Sequence, residues 1–172
     1  MMTLVRSIQT MAAGVWLGGM VLIAIVAATT FGEMRKTGVE RPNAIAGRVM
    51  AVNFQRFDKV QSACAGMLIV GQCIVMAMGR RGGREWFHAG LIVACTGLLA
   101  YSMSVISPQI LEMQSAVGSP DADAAVKAIF DKIHGTSVRV SQINLFVIAV
   151  LAISLGAGRI SKIAAKTVGA AD

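Results

Sequence analysis

The chain has 172 residues, 55% of them hydrophobic and 15% charged, with a net charge of +7 and a mean hydropathy of +0.67. A soluble domain carries about 25% charged residues, and the few here are segregated: 26 uncharged residues separate Arg6 from Glu33, 20 separate Lys59 from Arg80, 26 separate Glu85 from Glu112, and 19 separate Arg139 from Arg159. A helix needs about 20 apolar residues to cross roughly 30 Å of hydrocarbon, so the pattern excludes a soluble enzyme or nucleic-acid module and predicts four transmembrane helices in a single membrane domain, 1–172.

The first span is expected over about residues 7–31. It is too long for the apolar core of a secretory signal, which runs about 7–15 residues. It contains Gly14, Trp16, Gly18 and Gly19; glycines four apart let another helix approach closely. In a four-helix bundle these four are expected to pack internally in preference to forming a dimer face. Trp16 lies far from either interface, so it is expected between helices with its N–H seeking a partner.

Pro42 suits a first helical position. The charged stretch 42–59 reads as an amphipathic helix that lies on the surface or rises directly into the second span, about 60–79. Arg48, Arg56 and Lys59 would then sit at headgroups. Arg80, Arg81, Gly82, Gly83 and Arg84 form a basic turn. The third span covers about 86–107, where Pro108 is expected to kink or end it. Ser119, Pro120, Asp121 and Asp123 carry the signature of a helix start, giving a second amphipathic helix over about 120–137. It leads, with at most a bend at Gly135, into the fourth span at about 138–158. Cys64, Cys73 and Cys95 are an odd set inside apolar runs and read as buried small hydrophobes.

The two halves are laid out alike, with short matches at Phe57 to Val60 and Phe130 to Ile133. Two hairpins of this build arise either from an internal repeat or from membrane thickness alone. Seven Lys and Arg residues fall on the side of the N-terminus, basic turn and tail, and nine on the other. Charge density and the acidic second connection favour cytoplasmic termini. The expected setting is the cytoplasmic membrane of a bacterium.

Three constellations could carry chemistry. Tyr101 and Ser104 near the end of the third span face His134, Ser137, Ser141 and Asn144 at the start of the fourth; Asn53 and Gln61 enter on the same side. The spacing of the last four is helical, so they share a face. An unpaired amide at Asn144 would cost several kcal/mol in hydrocarbon. This polar junction either holds helices together or forms a hydrated vestibule for a small ligand. Cys73, Met76 and His88 offer thiolate, thioether and imidazole, a set suited to Cu(I). A haem held between His88 and His134 is ruled out by topology, because they belong to opposite membrane faces. None of the hydrolase, zincin or phosphate-loop motifs occurs, so the expectation is a non-enzyme without a cofactor.

Trp16, Leu17, Gly18 and Gly19, then Ala46 and Gly47 followed by Phe54 and Phe57, Tyr101 before Pro108, and Phe130, His134, Ser137 and Asn144 together resemble the transmembrane-protein-205-like family. They are distantly similar to the membrane domain of copper resistance protein D. The resemblance covers about residues 10–158 and implies an all-α, four-span membrane bundle without a settled biochemical activity. The functional expectation is an accessory or scaffolding subunit, in contact with membrane lipids and with protein partners in a larger complex or homo-oligomer and with no nucleic acid. The alternative is a protein that handles copper-like metals or small solutes.

Overall fold

The computed structural model describes residues 2–117 and 123–168, with side chains at 115, 116 and 158–168 left out of the description. Its elements are α1 (Met2–Lys36), α2 (Pro42–Ala77), α3 (Gly83–Tyr101), a π-helical turn (Ser102–Ile106), α4 (Ser107–Val117) and α5 (Ala124–Val168). The architecture is all-helical. Four helical stretches are long and apolar enough to cross a membrane, over Met2–Lys36, Pro42–Ala77, Gly83–Gln114 and Ala124–Ala157. Helices are the natural solution there, because they satisfy every backbone group within the segment.

Each helix packs on its chain neighbour, and α5 closes the ring against α1. The ring order is therefore α1, α2, α3, α5, with α1 diagonal to α3. Where the α1–α2 seam is closest, one side contributes a glycine. A Cβ on Gly19 would run into the ring of Phe57, and one on Gly71 would lie 2.7 Å from Gln9 Cγ. These two contacts fix the antiparallel register of α1 and α2. The core comprises Ala12, Ala13, Trp16, Cys64, Ala65, Leu68, Ile92, Cys95, Leu99, Ile148, Leu151 and Leu155. Small residues beside one large aromatic are how membrane helices gain van der Waals contact without help from water.

The connections differ from expectation in several places. Of the two arrangements expected for the stretch 42–59, the structure takes the second: it is the first half of α2 and rises directly into the second span. Arg41 takes a left-handed conformation (φ 58°) just ahead of Pro42, and so turns the chain into that helix. Pro108 neither ends nor breaks the third helical stretch. The preceding turn widens to π geometry, with the Ser107 N–H donating to the carbonyl of Ser102. The wider register accommodates a residue that has no N–H and a bulky ring, and the helix resumes as α4. As expected, α5 runs through Gly135 without interruption. The expected cap at Ser119 and Pro120 lies outside the described residues. Asp123 serves instead, its carboxylate accepting from the Ala125 N–H at 2.9 Å. Cys64 and Cys95 are buried as expected, but Cys73 is exposed: its neighbour Gln72 takes the inward position, which turns Cys73 away from the core.

The glycine seam makes a specific demand. Gly19→Val should lower the midpoint of SDS-induced unfolding, followed by circular dichroism, by an amount equivalent to about 1–3 kcal/mol, the usual cost of overpacking. Gly90→Val, where a Cβ meets nothing within 4 Å, should leave it nearly unchanged.

Candidate functional site

Arg6 on α1 and Glu85 on α3 meet across the bundle diagonal as a salt bridge, their side chains only 18% and 12% exposed. Around this pair lies a set of polar groups in otherwise apolar helices. Arg6 Nη1 donates to Gln9 Oε1 at 2.9 Å and more weakly to Gln72 Oε1 at 3.5 Å, and lies 3.4 Å from His88 Nδ1. Gln72 Nε2 donates to the Glu85 carbonyl at 2.9 Å. Gln9, fully buried, donates from Nε2 to the carbonyl of Leu68 at 3.3 Å. Gly71 makes room for this arrangement, since the Gln9 chain lies directly against its Cα.

A guanidinium can only donate, so His88 Nδ1 takes the Arg6 contact as an acceptor and the ring proton belongs on Nε2. His88 is completely buried, and Nε2 has no hydrogen-bond partner among the described residues. Nearby, Arg84 Nη2 donates to the carbonyl of Ser154 on α5 at 3.2 Å, so the same end of the bundle is tied on a third side.

The polar junction expected from sequence does not assemble as a whole. Tyr101 is 46% exposed, and Ser104 and Ser141 also lie on the outside. Ser104 Oγ donates to the Ala100 carbonyl of its own helix at 2.6 Å. His134 is exposed and stacked on Phe130, ring centroids 6.0 Å apart. Ser137 and Asn53 are half-buried. Gln61 and Asn144 do turn inward, at 6% and 5% exposure, and Asn144 Oδ1 lacks a partner among the described residues. At about 100° per residue the four α5 positions lie within about 80° of one another and so share a face, yet only Asn144 is buried, Ser137 being half-buried and His134 and Ser141 exposed.

The glycine motif divides in a similar way. Trp16 is fully buried with Nε1 unpartnered among the described residues, and Gly19 packs on Phe57. Gly14 and Gly18 are exposed, and a Cβ on either would meet nothing within 4 Å. The expectation that they pack internally is corrected. At about 100° per residue, positions two away from Trp16 lie roughly 200° around the helix, on its far side.

Nor do Cys73, Met76 and His88 converge. Cys73 is exposed, Met76 is half-buried, and His88 is committed to Arg6. Among the described residues no three of His, Cys, Asp and Glu are grouped to hold a metal. Sequence reasoning missed the Arg6 network altogether, because it ended the first span at residue 7 and so left Arg6 outside. The signal was present in Gln9 and Gln72, two amides inside apolar runs, and in Arg6 and Glu85, opposite charges bounding two spans at one membrane face.

Fold and burial pattern define a multi-pass, four-span helical membrane protein. The chain belongs to the DUF4149 family, a domain of unknown function, whose profile matches residues 11–119. The match takes in α1 from Met11 through the end of α4, and with it Trp16, Gly19, Phe57 and Pro108. No curated protein and no solved structure matches the chain.

Because both charges are nearly buried, removing one strands the other. Arg6→Leu and Glu85→Leu should each destabilise the bundle by about 3 kcal/mol, the low end of what an unpaired buried charge costs. The double variant should cost less than either single change, and a double-mutant cycle of SDS unfolding midpoints measures that coupling.

Proposed function

We propose that this protein is a non-catalytic component of a bacterial cytoplasmic membrane that acts by lateral association, as a homo-oligomer or as an accessory subunit of a larger complex. The observation that carries this reading is the uncovered face of α1. Gly14 and Gly18 sit four apart on the outside of the bundle, with open space where side chains would be. Such a stripe lets another transmembrane helix approach to backbone contact, and a second copy offers the same face in return. α1 is also the least buried of the four spanning helices in its most apolar stretch, whereas α2 is the most buried. In this reading the basic turn carrying Arg80, Arg81 and Arg84 lies on the cytoplasmic side.

A second reading, small-solute handling, draws on Trp16 Nε1 and Asn144 Oδ1, which are buried without partners among the described residues. Its metal-handling variant has less support, since Cys73 faces away from His88.

Gly14→Leu and Gly18→Leu test the first reading. Cross-linking in native membranes and native mass spectrometry from mild detergent should show assemblies for the wild-type chain. Each variant should weaken them roughly tenfold or more, about 1.4 kcal/mol, with helicity and SDS resistance unchanged. A wild-type chain that runs as a monomer with nothing co-purifying, or variants that assemble as well as wild type, would overturn it.

A further inference from the structure

Three buried polar atoms lack a partner among the described residues: His88 Nε2, Trp16 Nε1 and Asn144 Oδ1. The last two lie at one depth. Arg6 reaches Glu85, and the neighbouring Arg84 reaches the carbonyl of Ser154, so these four mark one end of the bundle. Trp16 is ten residues beyond Arg6, and Asn144 is ten residues before Ser154. At 1.5 Å per residue each stands about 15 Å from that end, near the middle of a hydrocarbon core roughly 30 Å thick. The α1–α2 register, set by Gln9 on Gly71 and Gly19 on Phe57, brings Gln61 to the same level within about a turn.

α1 and α5 pack directly on each other, and Trp16 belongs to the same buried cluster as Ile148 and Leu151, one and two turns along from Asn144. An indole N–H and an amide carbonyl therefore enter one central layer from adjacent helices, with the amide of Gln61 entering from α2. The two are chemically complementary, a donor and an acceptor, yet they do not bond to each other. A single hydroxyl group satisfies both: its oxygen accepts from Trp16 Nε1, and its own O–H donates to Asn144 Oδ1. No charged side chain is needed, and none lies within a turn of Trp16 or Asn144 on its own helix.

We propose that Trp16 and Asn144, with Gln61 beside them, form an internal site at the centre of the bundle for one uncharged hydroxyl group. Water is one source of that group, and an alcohol-bearing solute or lipid is the other. The site deepens the second reading above, because a solute passing through or held in the bundle would meet these groups at its middle.

The test uses the full chain in nanodiscs of phosphatidylglycerol, whose headgroup carries hydroxyls, with Trp86→Phe, a substitution at an exposed position that leaves Trp16 as the only indole. With the indole nitrogen labelled, cross-relaxation in NMR reads what lies against the Trp16 N–H. A contact to water protons, lost in Asn144→Leu, supports the proposal with water as occupant. If glycerol added to the sample does not disturb that contact, solute handling fails while the site stands. Displacement of the water contact by glycerol, or a contact to lipid hydroxyl protons, supports both. A dry Trp16 N–H in the unmodified site overturns the proposal. SDS resistance gives an independent sign: Asn144→Leu lowers the unfolding midpoint if a bound hydroxyl bridges the pair, and raises it if Asn144 is merely an unsatisfied amide.

Discussion

Everything in this bundle hangs on how few polar groups its interior admits and where each finds a partner. Hydrocarbon supplies no hydrogen bonds, so a charge or amide inside the ring of helices must be met by another side chain or by an enclosed small molecule. The salt bridge between Arg6 and Glu85 is the strongest instance. It joins α1 to α3, two helices that are diagonal in the ring, and it does so only because Gln9, Gln72 and the Glu85 carbonyl take up the remaining donors and acceptors. A pair of this kind adds little net stability over an apolar core of the same shape, since desolvation offsets most of the attraction. What it does well is discriminate: a one-turn slip of α1 against α3 would leave two charges and two glutamines unmet at once.

The glycine contacts act on the same register from the apolar side. Gly71 admits the Gln9 chain, and Gly19 admits the Phe57 ring. One contact sits in the polar end layer and the other beyond the level of Trp16. Together they hold the α1–α2 seam at two heights, so Trp16, at the level between them, is fixed in depth although its N–H has no partner among the described residues. Polar and steric terms thus specify the same alignment, the internal consistency expected of a sequence with one native packing.

Much of the fold was legible in the sequence because charge-free length is a direct readout of membrane thickness. The four spans, the basic turn, the burial of Trp16 and the continuity at Gly135 follow from spacing and turn chemistry. Two features were misjudged for identifiable reasons. Pro108 looked like a terminator because proline removes a hydrogen bond from a regular α-helix; it does not do so where a π turn has already shifted the register, and no residue type announces that shift. The polar junction looked continuous because Tyr101, Ser104 and His134 share an end of the bundle. Sharing an end fixes depth but leaves rotation free, and those three rotate outward. The Gly14 and Gly18 face, by contrast, could have been oriented from Trp16 alone, since one helix cannot bury both sides of itself in a ring of four.

Depth and rotation together separate the polar residues into two kinds. Those at the Arg6 end are mostly saturated, with His88 Nε2 the exception among the described residues, and a largely saturated network resists change. In the central layer, beside the buried Gln61, the Trp16 indole N–H and the Asn144 amide oxygen have no partner among the described residues, at about the height where a membrane is least able to supply water. Were packing their only role, a phenylalanine and a leucine would fill the same space without the desolvation cost. These atoms are therefore the features that helix packing explains least, and the end and the centre of the bundle differ in kind: the Arg6 end is a lock that sets the register, and the centre carries the donor and acceptor that the proposed hydroxyl would satisfy.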